Sequence, residues 1–227
     1  MKRIIQPEIL DRLPPDDPRA IRSRRDLRRI NGLMGNHHLM AGALQKCFHD
    51  HPVKQIVEIG AGDGSFLLRV AQKIAPHWPN VNAMLIDLQK NISKETLAAF
   101  ASLSWHTEAF VADIFGWPQI ESDVVVANLF LHHFDDLRLA ELLRMISRRT
   151  KLFILIEPRR AHWPLFCSRL LWAIGCNGVT CHDAVISVRA GFCGHELSAL
   201  WPEKQGWQLT ERRAGAFSHL FIAQKTS

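Results

Sequence analysis

The sequence predicts an α/β fold: a doubly wound, mostly parallel sheet that ends in a C-terminal antiparallel hairpin, with N-terminal helices and a helical cap. Three observations predict it. Short apolar runs rich in β-branched residues recur at 55–60, 82–88, 123–131 and 151–157, each the length of a buried strand. Helical periodicity fills the gaps between them, at 65–75, 93–103 and 135–149. The final stretch, WQLTERRAGAFSHLFIAQK, reads as two strands about Gly215.

Residues 1–52 are polar and basic and read as a helical extension. Asp17-Pro18 pairs an N-cap with a proline at the first helical position. Six arginines lie between Arg19 and Arg29 against one acid, Asp26. At helical spacing Arg22, Arg25 and Arg29 share a face, with Arg24 and Arg28 beside it. A second helix is expected over roughly 37–49.

The strand QIVEIG (55–60) leads into a glycine-rich turn and the helix SFLLRVAQKIA (65–75). NAMLIDL (82–88) is the next strand, and the helix 93–103 has Ser93 and Thr96 near its start. WHTEAFVADI (105–114) alternates less cleanly but ends like a strand. DVVVANLFL (123–131) precedes an amphipathic helix capped by Asp135 or Asp136, and KLFILIE (151–157) closes the series. The rhythm then breaks. Residues 158–205 read as a helical cap inserted into a domain spanning 53–227. Within it Trp163 to Gly175 is apolar but for Ser168 and Arg169, and is expected to form a helix that packs on the core or lines a pocket.

At 227 residues, with 47% hydrophobic and 22% charged side chains, the chain can bury a sizeable core, which excludes wholesale disorder and disulfide-stapled scaffolds. The five cysteines form no Cys-x-x-Cys, the N-terminus has no apolar signal region, and no run of about 18 apolar residues exists. These features predict a cytoplasmic location without a membrane span. The formal net charge of +6 favours anionic partners without choosing among them. Cys176, Cys181, His182, Cys193 and His195 cluster in the cap, but Cys-x4-Cys and Cys-x-His are poor zinc spacings, so no metal is expected.

The chemistry concentrates in Val57-Glu58-Ile59-Gly60-Ala61-Gly62-Asp63-Gly64-Ser65-Phe66. Glycines at a strand-to-helix turn let a ligand approach bare backbone. The spacing is GxGxG, and Ser65 stands where a dinucleotide fingerprint places its third glycine, which counts against a nicotinamide cofactor. The next strand ends at Asp87, whose carboxylate can accept from both hydroxyls of a ribose. The third ends in Asp113-Ile114, an acceptor for an exocyclic amine beside an apolar face for a purine. The fourth ends at Asn128-Leu129, next to the glycine loop. All lie at strand C-terminal ends, where doubly wound sheets bind ligands.

With VEIGAGDGSF (57–66), LID (85–87), VADIF (111–115), DVVVANLFLHHF (123–134) and LFILIEP (152–158) in this order, the sequence resembles the class I S-adenosylmethionine-dependent methyltransferases over roughly 50–157 and 206–225. The resemblance implies a Rossmann-like fold and S-adenosyl-L-methionine as cofactor. It places Gly60, Gly62 and Gly64 around the methionine part with Glu58 in support, Asp87 at the ribose, and Asp113 with Ile114 at the adenine; Ala61, Leu88, Asn128 and Leu129 are further cofactor-binding candidates. Neither the Asn/Asp-Pro-Pro-aromatic sequence of amino-methylating nucleic-acid enzymes nor a Pro-Cys nucleophile follows strand four. ANLFLHHF is instead similar to the small-molecule branch, including quinone-biosynthesis and natural-product enzymes.

That branch implies methylation at oxygen or carbon of a small, aromatic or lipophilic acceptor. The apolar 163–175 stretch, with Arg159-Arg160 and the Arg22–Arg29 helix beside it, offers a membrane surface as a candidate partner, and the same arginines a substrate phosphate or an acyl carrier protein. A base would help an acceptor lose its proton. His132 and His133 are candidates, of which one is expected to act. His182 from the cap is another, and Glu157 a weaker one. The arginine helix keeps an RNA methyltransferase as the first rival reading; a non-catalytic partner protein of the same fold is the second.

Overall fold

In the computed structural model, which describes residues 1–48, 53–116, 120–202 and 204–226, seven strands form one sheet. They are β1 (Gln55–Ile59), β2 (Asn82–Asp87), β3 (His106–Val111), β4 (Ser122–Asn128), β5 (Thr150–Pro158), β6 (Trp207–Ala214) and β7 (Ser218–Lys225), in the order β3-β2-β1-β4-β5-β7-β6. The first five run parallel; β7 pairs antiparallel with both β5 and β6. The strand order reverses between β1 and β4, so their C-terminal ends open a crevice there.

The helices are α1 (Ile9–Arg12), α2 (Pro18–Met34), α3 (Asn36–Cys47), α4 (Ser65–Ile74), α5 (Lys94–Ala101), α6 (Asp136–Ser147), α7 (His162–Ser168), α8 (Gly178–Ala190) and α9 (Glu196–Leu200). The expected end of the second helix at 49 lies outside the described residues. Strand alternation divides the core in two. Ile56, Leu85, Val124 and Ile154 face α3 and α4 through Met40, Leu44, Leu67 and Ile74. Val57, Ile59, Val125 and Phe153 face α6 and the segment after α8 through Leu142, Ile146, Phe192 and Trp201. Burial on both faces explains why β4 and β5 read as continuous apolar runs.

Two segments depart from expectation. The third strand stops at Val111 rather than 114, and a single 3-10 turn (Ile114–Gly116) follows. β3 is an edge strand with most side chains in water, which accounts for its weak alternation. The apolar stretch 163–175 is not one helix. α7 ends at Ser168, whose hydroxyl donates back to the Leu165 carbonyl (2.9 Å), and a separate 3-10 turn covers Leu171–Ile174. None of its residues lines the cavity described below.

The N-terminal helices are held by polar side chains. Both carboxylate oxygens of Asp183 on α8 accept from the Ile9 and Leu10 amides (2.9 Å each), satisfying the first free donors of α1. Asp26 of α2, fully buried, accepts from the Asn177 amide (2.8 Å) at the start of α8. Asn36 donates to Asn128 at the end of β4 (2.9 Å) and accepts from Ser218 (2.6 Å), while Asn128 donates to Asn31 (3.3 Å). Residues 1–36 therefore sit over the strand ends.

Asp183→Ala should free the start of α1 and cost about 1–2 kcal/mol, the worth of a helix cap. Hydrogen exchange should accelerate at residues 3–13 and stay slow in β4 and β5. Unchanged protection at 3–13 would show that other contacts hold the segment.

Candidate active site

A cavity of about 430 Å³ occupies the crevice at the ends of β1, β2, β4 and β5. Its floor is the loop 60–63 with Asp87, Asn128, Leu129 and Phe130; α1 and α2 roof it with Glu8, Asp11, Arg24, Arg28 and Asn31. Gly60, Ala61, Gly62, Glu58, Asp87, Leu88, Asn128, Leu129, His132 and His133 are thus brought together.

The loop geometry requires glycine. Gly60 has φ +66°, and a Cβ there would stand 2.2 Å from the Phe130 ring. Leu129 beside it holds φ +54°, a costly conformation for a branched side chain, stored at the cavity wall. The Gly62 amide donates to Asp87 Oδ2 (2.8 Å), and the Gln89 amide to Oδ1 (2.9 Å). Burial raises the Asp87 carboxyl above its ordinary value, although these donors and Arg24 pull the other way. Glu58 is buried, and its Oε2 has no partner among the described residues. Burial first, then Asp63 and Asp87, push its carboxyl well above the usual range. Gly64 stands outside the lining, where a Cβ would meet Leu85 at 3.0 Å; its bare backbone lets α4 approach β2.

Three further predicted residues stand apart. Asp113 accepts from the Phe115 amide (3.0 Å) in the turn after β3, and Ile114 is buried in the core; neither lines the cavity. His182 is half-exposed on α8 and pairs with Asp183 (2.9 Å), also outside the cavity.

The paired histidines have opposite environments. His132 is 3% exposed, with Nδ1 2.6 Å from Glu157 Oε2 and Nε2 3.3 Å from Glu8 Oε1. Burial alone would lower its pKa, but the two carboxylates overcome this and raise it to about 10. Glu8 is subject to the converse balance. Burial would raise it, while His132, His133 and Ser187 hold it at about 2. His133 lines the cavity and is lowered to about 4, by burial and by the His132 charge. At neutral pH His132 is therefore a fixed cation and His133 an unprotonated imidazole, a weaker base than a free histidine because burial and the His132 charge oppose its protonation. Asp11 lies 3.5 Å from His133 Nδ1, and its carboxyl is raised to about 6 by burial, Glu8 and Asp183. Glu8, His132 and His133 each bring a donor atom within 4.8 Å of the others, a grouping that sequence spacing did not suggest for a metal; here both His132 nitrogens already face carboxylates.

Sequence reasoning missed Glu8, Asp11, Asn31 and Ser187, which belong to no motif. Arg24 and Arg28 were visible as part of a stripe. They point inward, Arg28 onto Asp63 (2.5 Å) and Arg24 onto the Pro15 carbonyl (2.7 Å), with one buried Arg24 nitrogen unpartnered among the described residues.

Residues 57–151 match the family described as Methyltransferase domain. Over 86 residues the chain is 34% identical to proteins named as uncharacterized methyltransferases from Mycobacterium bovis and Mycobacterium tuberculosis; the match covers 37% of this chain and 40% of theirs. Among solved structures it is similar to the plantazolicin methyltransferase BpumL in complex with SAH, at TM-score 0.68 and 13% identity over 92% of this chain and 91% of that one. A putative O-methyltransferase from Nostoc punctiforme matches at TM-score 0.64 and 16% identity, over 99% of this chain and 64% of that one. The mitomycin 7-O-methyltransferase MmcR matches at 0.62 and 18%, over 96% and 60%. These likenesses establish the methyltransferase fold, strand order and closing hairpin included.

The charge balance at His132 makes a pH prediction. Folded His132 keeps its proton to about pH 10, whereas an unfolded histidine loses it near 6.5. The stability it contributes is complete below 6.5 and is lost as pH rises toward 10, by up to about 1.4 kcal/mol per pH unit. Urea unfolding should show this slope in the native chain and a shallower one in Glu8→Gln. Equal slopes would place the raised pKa elsewhere.

Proposed function

We propose that the protein is a methyltransferase that uses S-adenosyl-L-methionine to methylate a small aromatic or lipophilic acceptor at oxygen or carbon. One observation carries the reading. The glycine loop, Asp87 and the buried Glu58 carboxyl, one of whose oxygens has no partner among the described residues, converge on one cavity inside a stretch that matches a methyltransferase domain. Bound S-adenosyl-L-methionine would supply an electrophilic methyl group. Asp87 would hold the ribose, since each of its oxygens keeps a free acceptor site beyond the amide it already meets. Glu58 would face the cationic methionine end, where a positive neighbour would lower its raised pKa. Asp113 and Ile114, at the outer end of β3, would border the adenine from beyond the cavity.

The acceptor would lie between His133 and the apolar walls formed by Leu10, Leu27, Phe66 and Phe130. His133 would take the acceptor's proton, with Asp11 beside it. His132 is committed to its two carboxylates and would act as a positioning group. His182, on the outer face of α8, would stay a surface residue. Alignment of acceptor and methyl group would supply most of the rate enhancement. In this reading 1–52 is an extension to a methyltransferase domain at 53–227 that carries a cap insertion at 158–205, and α1, α2 and α8 roof its cavity. The five cysteines are all unbridged, which supports a reducing compartment, the cytoplasm.

Calorimetric titration with S-adenosylhomocysteine tests the reading. Micromolar binding is expected, weakened by about 1–3 kcal/mol in Asp87→Ala. His133→Ala should keep that affinity and lower turnover of an accepted phenol or enol by about 10²–10⁴-fold. Absence of binding, or equal affinity in Asp87→Ala, would overturn the site.

A further inference from the structure

Between Glu157 and Asp183 the chain has no acidic residue, and five of its large apolar side chains there point into water. Trp163 is 57% exposed, Phe166 54%, Leu170 42%, Trp172 66% and Ile174 47%. These residues sit on α7 and the following 3-10 turn, both of which pack on α8. Pro164 and Ser168 make the buried side of α7. The outer side carries the stacked rings of Trp163 and Phe166, 6.0 Å apart. A monomer gains nothing from ordering so many aromatic and aliphatic groups outside its core, so such a face marks a contact surface.

Basic groups border this face. Arg169 is exposed within it. Arg29 of α2 donates to the Ile174 carbonyl (3.4 Å), which ties the arginine helix to the apolar turn. Arg22 and Arg25 are exposed on the same helix. Tryptophan with arginine, with no carboxylate in 158–182 and the Asp26 that pairs with Arg29 fully buried, is the composition that suits the boundary between anionic head groups and acyl chains. Among the described residues no helix is long and apolar enough to cross a membrane, so contact through these elements would be peripheral.

The face also adjoins the cavity. Pro158 lines the cavity, and α7 begins four residues later at His162; Arg28 lines it too, next in sequence to Arg29. We propose that residues 163–174, with the flanking arginines, dock the protein on an anionic lipid surface and so bring the cavity mouth to acceptors dissolved in that layer. The docking itself stands on exposure and charge; only the delivery of acceptors rests on the methyltransferase reading.

Vesicle sedimentation tests the docking without any turnover. Phosphatidylcholine vesicles containing phosphatidylglycerol should retain the protein at low salt, and pure phosphatidylcholine vesicles should retain it poorly. Brominated acyl chains should quench tryptophan fluorescence. The double variant Trp163→Ser, Trp172→Ser should bind the anionic vesicles at least about tenfold more weakly, and Arg25→Glu with Arg169→Glu should do likewise. Unchanged S-adenosylhomocysteine affinity in these variants would show that the fold survives. No retention on anionic vesicles, or equal retention of the tryptophan variant, would overturn the proposal. So would light scattering that shows a native dimer dissolved by the tryptophan substitutions, because a second copy would then cover the face.

Discussion

A carboxylate buried at the end of β5 holds the cavity together. Glu157 is fully buried, which is costly for a charge unless every lone pair finds a donor. Here one oxygen accepts from the Phe130 and Leu131 amides (2.9 and 2.7 Å), and the other meets His132 (2.6 Å). This fixes the loop after β4, places Phe130 against Gly60, and keeps Leu129 in its left-handed conformation. His132 then reaches Glu8 from its other nitrogen, so the chain of charges runs from the sheet into the N-terminal roof. Removing one member would leave an uncompensated charge in the interior rather than merely delete a contact.

The same chain divides the work between two adjacent histidines. His132 lies between two anions and stays charged. His133 lies beside that charge and stays neutral. Environment, not sequence position, decides which of the pair can accept a proton, as expected where neighbouring titratable groups are pushed in opposite directions. The raised Asp11 and Glu58 carboxyls belong to the same low-dielectric crevice.

Much of this was readable in the residues. The strands and the helices between them follow from β-branched runs and apolar periodicity, because burial on both faces leaves a continuous signal; the order of the strands came only with the family resemblance. The glycine loop, Asp87 and the two histidines announced themselves as polar or glycine positions at strand ends. What stayed hidden depends on long-range packing. Glu8 precedes and Asp11 lies within a four-residue helix with no amphipathic pattern, which α8 and the contact of Glu8 with His132 place over the cavity. The division of 163–175 into a helix and a turn reflects a face that has no core to cover, a fact that hydrophobicity alone reverses. Asp113 looked equivalent to Asp87, but an edge strand that stops at Val111 leaves it in a separate turn.

The central claim is that a roof pinned through Glu8, His132 and Glu157 encloses a cofactor site on the glycine loop. Hydrogen exchange with and without S-adenosylhomocysteine tests it most directly. The account predicts that the ligand slows exchange together at 58–66, 87–91 and 128–133 on the floor and at 8–31 in the roof. Protection confined to other parts of the sheet, or a floor protected while the roof is unaffected, would contradict it.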